Sequence, residues 1–407
     1  MNKTLIRRHP SILAGFMLLS LTLSSCLEIS NELSERELID LTPEDGAVLP
    51  ASVEAGDTLT LSRGFTFPLL GALRVKAEGV LVIEPGVTIT ATGGQPPALF
   101  IVIESGAKIF AEGTDEAPIV FTATDQVPGA WGGLIIAGKA PINVGTSAIA
   151  EIGDITYGGN EPEDNSGVLR YVRVEYTGSS INSEREHNGI TLYGVGSGTT
   201  IDFVEAYLGA DDGMEFFGGT VNVSHVVCVG NQDDQFDFAQ GWTGTASYLY
   251  IQQIDDAGFI QDRGIEGDNL SSDNQATPFS SPTIRNVTMV GFSSAANPSN
   301  NGTDAIRIRE GAKGVFDNVV IQNYPGNAVD ARSLITLTNL TNEDLTFTKL
   351  YFEGITLPPN TALDDGEVSA VNDLTENALR RLNSSRISDR PSGAEFETWR
   401  GEFARLP

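Results

Sequence analysis

Six carboxylates between residues 211 and 237 carry the clearest chemistry in this chain of 407 residues. Asp211, Asp212 and Glu215 stand in D-D-G-M-E, and 22 positions later Asp233, Asp234 and Asp237 stand in D-D-Q-F-D. Glu266 extends the series. Oxygen ligands at this density suit a hard cation, and Ca²⁺ accepts roughly 6–8 of them in flexible geometry. The spacing matches neither an EF-hand nor an RTX nonapeptide. Two readings follow. Asp211, Asp212, Glu215, Asp233, Asp234, Asp237 and Glu266 hold Ca²⁺, or they form a solvated acidic ladder relieved by water, sodium and side-chain splay.

Cations lie further along the same face at Arg263, Arg307, Arg309 and Lys313. Arg307 and Arg309 are candidates for ligand binding; the alternative is that they pair with outward carboxylates on neighbouring repeats. Trp131 and Trp242 flank glycines and are candidates for stacking on sugar, the alternative being that they cover the core. His187, in a loop after Glu184 and Glu186, and His225 read as structural. No G-x-S-x-G, H-E-x-x-H, C-x-x-C or phosphate loop occurs.

What must position these groups is a solenoid. The pattern of a polar turn residue, a small residue, an apolar residue and an outward residue recurs at 188–191, 212–215, 234–237, 263–266, 304–307 and 327–330. Period-2 alternation sends Ile190, Met214, Phe236, Ile265, Ile306 and Val329 inward, and Thr191, Glu215, Asp237, Glu266, Arg307 and Asp330 outward. A second column, at 169–172, 201–204, 223–226, 284–287 and 316–319, shares one register. A period in the twenties built from short strands and glycine turns predicts an all-β fold, a right-handed parallel β-helix spanning 47–354. The long step from 226 to 287 calls for an inserted loop or an unmatched coil. The opening region is itself duplicated, since 78–91 resembles 105–123. After Ala331 the repeat fades, 374–382 reads as a short helix, and 355–407 is expected to cap the apolar end.

At the other end, residues 1–25 have a basic start and an apolar run from Ile12 to Leu23, the make-up of a signal peptide. The run is shorter than the roughly 20 residues needed to span a bilayer. It closes on Leu23-Ser-Ser-Cys26, which resembles a lipobox and makes Cys26 the expected lipidation site. Residues 26–46 read as an acidic tether. The formal net charge of −29 disfavours nucleic acid as a partner and favours cations. Of the chain's two cysteines, Cys228 lies in the apolar run 226–229 and is expected in the interior.

Three runs carry a family resemblance: Gly129-Ala-Trp-Gly-Gly-Leu-Ile-Ile-Ala-Gly-Lys-Ala-Pro-Ile-Asn143, Leu169-Arg-Tyr-Val-Arg-Val-Glu-Tyr176 and Asp211-Asp-Gly-Met-Glu-Phe-Phe-Gly-Gly219. They resemble a family of outer-membrane lipoproteins of Bacteroidota and marine Proteobacteria, over residues 70–335. The resemblance implies a pectin-lyase-like β-helix anchored at the outer membrane, facing the periplasm or the exterior. Pectin-lyase-like lyases bind an acidic sugar through calcium and use Lys or Arg as base, and hydrolases use two or three carboxylates. Asp212, Asp234, Asp237 and Arg307 can be cast in either role. The leading expectation is a Ca²⁺-loaded binding or accessory lipoprotein for a glycan or nutrient, beside an outer-membrane transporter. The alternative is a polysaccharide lyase or glycoside hydrolase.

Overall fold

Strands of two to nine residues form here because β-branched and aromatic residues alternate with polar ones between glycine-rich turns. The computed structural model describes residues 40–93, 99–183, 185–255, 259–292, 303–355, 357–367, 369 and 373–407. Its strands assemble into parallel sheets of 14 and 11 strands that share one core, the parallel β-helix expected from the repeats. From Gly167 onward most coils supply one long strand and one short one. Thr200–Tyr207, Asn222–Val229, Thr245–Gln252, Thr283–Val290 and Gly314–Gln322 build the long-strand sheet. Ile190–Tyr193, Met214–Phe217, Phe236–Ala239, Ile265–Gly267 and Ile306–Ile308 build the short-strand sheet.

The inward column stacks in the expected register. Ile190 lies opposite Met214, Met214 opposite Phe236, Phe236 opposite Ile265 and Ile265 opposite Ile306, all of them buried. The step from 226 to 287 contains an unmatched coil. Strand Thr245–Gln252 fills it, with Leu249 paired to both Val226 and Val287.

Each long strand bends at one left-handed residue. Tyr171, Phe203, His225, Tyr248, Asn286, Asn318 and Lys349 all have φ between 50° and 60° and occupy the position left unpaired between the two halves of the ladder. A left-handed residue other than glycine costs roughly 1–2 kcal/mol. Stacking between coils offsets the cost: ring centroids are 4.5 Å apart for Tyr171 and Phe203, 4.2 Å for Phe203 and His225, and 4.9 Å for His225 and Tyr248. Asn318 Nδ2 donates to Asn286 Oδ1 at 2.7 Å in the same column. In the earlier coils the corner is a loop, since Lys108–Glu112 and Ile119–Ala123 pair separately with the two halves of Gly167–Glu175.

The ends differ from the sequence expectation. Part of the tether joins the solenoid, because Asp40–Leu41 pairs with Thr58–Leu61. Helix α1, Leu334–Thr341, interrupts the β-helix where only a fading repeat was read; Ser333 Oγ accepts from the Thr336 N–H, and Leu337 and Leu340 pack inward. Strand pairing runs past residue 354, as Asn360–Ala362 adds to Val329–Arg332. Helix α2, Leu374–Ser384, is the expected short helix and buries Leu374, Ala378 and Leu382 along one stripe. The last residues turn back across the long-strand sheet. Phe396 stacks on Tyr250 at 3.8 Å, Trp399 meets His225 edge-on at 5.0 Å and Phe403 meets Tyr171 edge-on at 5.6 Å. Residues 1–39, with the signal segment and Cys26, lie outside the described residues.

Candidate functional site

The register of the short-strand sheet puts Thr191, Glu215, Asp237, Glu266, Arg307 and Asp330 in one outward column. Adjacent coils are about 4.8 Å apart. Beside this column, the turns before the strands bring up Asp211, Asp212, Asp233, Asp234 and Asp262. Glu215, Asp237 and Glu266 of the column and these turn aspartates line a cavity of about 400 Å³, with Glu151, Arg185 and Glu186 also on its wall.

Two of the turn aspartates have a local task. Asp212 Oδ1 accepts the Asp234 backbone N–H at 2.9 Å, and Asp234 Oδ1 accepts the Arg263 N–H at 2.7 Å. Asp304 does the same for Asn327 at 2.8 Å. One oxygen of each residue therefore ties its turn to the next coil; the second oxygen of Asp212 and Asp234 remains for the cleft, whereas that of Asp304 is held by Arg307. These links explain why the turn position recurs as a carboxylate.

Three groups of carboxylates have ligand atoms within 4.8 Å of one another: Asp211 with Asp212 and Asp233; Asp212 with Glu215 and Asp237; and Asp233 with Asp234 and Asp262. Asp212 and Asp233 each belong to two groups. Asp237 Oδ1 is buried and has no hydrogen-bond partner. Asn188 Nδ2 donates to Glu215 Oε2. The charge is poorly compensated. Burial, followed by the nearby Asp233, pushes Asp211 up to about 8, and burial, followed by Asp262, pushes Asp233 up to about 6. Burial also holds Asp212, Glu215, Asp234 and Asp237 well above the usual carboxylate range. The next cause is Glu215 for Asp212, Asp237 for Glu215, and Glu266 for both Asp234 and Asp237.

Several expected site residues are placed differently. Glu266 lines the cleft but joins none of the three groups, because Arg263 Nε lies 3.1 Å from it and the Arg309 guanidinium also holds it. Arg309 pairs in addition with Asp268 at 2.9 Å, so it stands at the cleft edge already engaged. Arg307 is not brought together with Asp212, Asp234 and Asp237. Its guanidinium is held by Asp304 at 2.6 Å and by the fully buried Asp330 at 3.1 Å, one coil further on. Trp131 and Trp242 are buried and offer no face to a sugar. Trp131 Nε1 donates to the Glu175 carbonyl at 2.7 Å; Trp242 Nε1 donates to the Val221 carbonyl at 3.0 Å, and its ring stacks on Phe216 at 4.1 Å. Their glycine neighbours mark tight coil corners where a large ring fills the core. His187 is buried 5.4 Å from Phe100, and burial pushes its imidazole down to about 4. Cys228 is buried.

Asp262 was the residue not anticipated as part of the site. Aligning 263–266 on 212–215 and 234–237 places it over Asp211 and Asp233, so the signal was present in the repeat, hidden by a step of 29 where the neighbouring one is 22. Glu151 and Arg185 come from loops and had no periodic signal.

A family model described as a pectate-lyase like beta helix domain matches residues 53–404. No curated protein matches the chain.

Proposed function

Because the chain belongs to the pectate-lyase-like beta helix family, a membership that fits a carbohydrate-related role, we propose that it is a Ca²⁺-loaded glycan- or nutrient-binding lipoprotein. The observation that carries the reading is the set of three overlapping carboxylate groups, with Asp237 Oδ1 buried among them and unpartnered. Six acids at coil spacing repel by roughly 1 kcal/mol per adjacent pair in water, and severalfold more where partly buried. A divalent cation replaces protons as the compensating charge and takes oxygen donors alone. Asp211, Asp212, Glu215, Asp233, Asp234, Asp237 and Asp262 are its ligand pool, with Glu266 and Arg309 on the flank. Calorimetric titration of calcium into chelator-treated protein tests this. A saturable heat that is absent in Asp212→Asn supports the site, and no heat in the parent protein refutes it.

The raised carboxylates favour a second reading, in which one acid stays protonated beside an ionised neighbour and the pair serves as general acid and base on a polysaccharide. Asp212, Asp234 and Asp237 are the candidates; Arg307 drops out because two buried carboxylates hold it. Release of reducing or unsaturated sugar, lost in Asp237→Asn, would establish the enzyme. Affinity without products would establish the binder.

Anchoring at the outer membrane through lipid on Cys26 completes the proposal, supported by the basic, apolar and Leu-Ser-Ser-Cys order of residues 1–26. A nutrient transporter in the same membrane is the partner this placement suggests. Cys26→Ser is expected to move the protein from the membrane fraction to the soluble one; membrane retention of that variant would count against the anchor.

A further inference from the structure

A second cavity, of about 530 Å³, lies on the outer face of the long-strand sheet, away from the acidic cleft. Its floor is one outward column of the ladder: Asp202, Ser224, Ser247 and Arg285, paired coil to coil. Two short side chains between two long ones leave a notch. The residue column beside it is the left-handed corner, so His225 and Tyr248 form one wall, their rings 4.9 Å apart.

The charge of this notch is unusual for the molecule. The chain carries 54 Asp and Glu against 25 Lys and Arg, yet Asp202 is the one carboxylate among the residues that line the notch. That carboxylate is already engaged. Asp202 Oδ1 lies 2.8 Å from His225 Nδ1, which must carry the hydrogen because a carboxylate only accepts, and Arg170 Nε lies 3.9 Å from Asp202 Oδ2. Arg285, by contrast, is exposed and is fixed by its Nε donating to Ser247 Oγ at 3.0 Å. Its neighbour in the column, Asp317, is turned to the next coil, where it accepts from Thr348 Oγ1 at 2.6 Å and lies 3.6 Å from Lys349 Nζ. Arg285 thus lines the notch with Ser247 and Ser224 beside it in the column.

The geometry points to an oxyanion-binding subsite in this notch, taking the sulfate, phosphate or carboxylate group of a saccharide. A guanidinium fork with adjacent hydroxyl donors matches such a group, and Tyr248 supplies an apolar edge for the sugar that bears it. The subsite stands independently of the cation cleft.

Calcium-free titration separates the two. A sulfated oligosaccharide, its desulfated counterpart and inorganic sulfate are each titrated into chelator-treated protein. The sulfated sugar is expected to bind, and Arg285→Gln, at an exposed position, to weaken it by about tenfold or more, the worth of one charge-assisted contact. Arg386→Gln, in a cation that packs on Phe352 of the last coil, is expected to leave it unchanged. Tighter binding of the sulfated sugar than of inorganic sulfate assigns the oxyanion to a saccharide; equal binding keeps the oxyanion site and assigns it to the free ion. Equal binding of the desulfated sugar, or an Arg285→Gln protein that binds as well as the parent, overturns the proposal.

Discussion

At the scale of single residues, the cleft is a problem of protons against cations. Asp211 and Asp233 are pushed up to about 8 and about 6, whereas an unfolded aspartate sits near 4. A group whose folded value is raised binds more protons folded than unfolded, so its contribution to stability is full below about pH 4 and is lost as pH rises through the folded values. The metal-free protein is therefore expected to lose stability from pH 5 to pH 8.5, and saturating calcium to flatten that slope. Chemical denaturation at several pH values, with and without chelator, measures it. Asp237→Asn should act in opposite directions in the two forms. Removing one crowded charge stabilises the metal-free protein at pH 8, and removing one oxygen ligand reduces the gain from calcium. A variant that is destabilised equally in both forms would mark Asp237 as a packing residue. What the sequence could show here was the repeated carboxylates. It could not show that Asp212 and Asp234 each commit one oxygen to the next turn, nor that Arg307 is captured by Asp304 and Asp330, because these depend on contacts between coils.

At the scale of elements, inward and outward positions were readable because strand alternation and coil period leave Ile190, Met214, Phe236 and Ile265 one choice of face. The coil at Thr245–Gln252 was hidden, since Ala246 and Leu249 stand where neighbouring coils carry a larger apolar residue and a valine. Helix α1 was not legible because its β-branched Thr and Ile residues lower its helical propensity, and it forms under a Ser333 cap against the last coil. Phe236 tests the stacking directly. It is fully buried, 5.0 Å from Phe216 and 6.0 Å from Trp242. Truncation to Ala should cost roughly 3–5 kcal/mol. A loss below about 1 kcal/mol would mean the site collapses around the cavity or that the ring is not in the core.

At the scale of the whole molecule, a strongly acidic solenoid is stabilised along its length by its own C-terminal tail. The Glu402 and Phe403 N–H groups donate to Asp115 Oδ1 at 2.6 and 3.1 Å, and the Arg405 N–H is shared by both oxygens of the buried Glu205 at 2.9 Å. Such contacts join residues 200 to 288 apart in sequence and have no periodicity to betray them. Phe403, fully buried against Tyr171 and Phe203, is expected to cost roughly 3–5 kcal/mol when truncated to Ala, read by denaturation; an unchanged midpoint would show that the tail contributes no clamp. The cleft remains the centre of the functional reading, and thermal unfolding tests it most directly. An ion that binds only the folded coil adds about 2.7 kcal/mol at 100 times its dissociation constant. Unfolding is followed in chelator, in calcium, and in sodium matched for ionic strength, with elemental analysis of the desalted protein. Calcium loading predicts bound calcium and a rise in melting temperature that sodium does not reproduce. Equal stabilisation by sodium, with no calcium retained, would contradict it, because screening alone would then account for the acidic face.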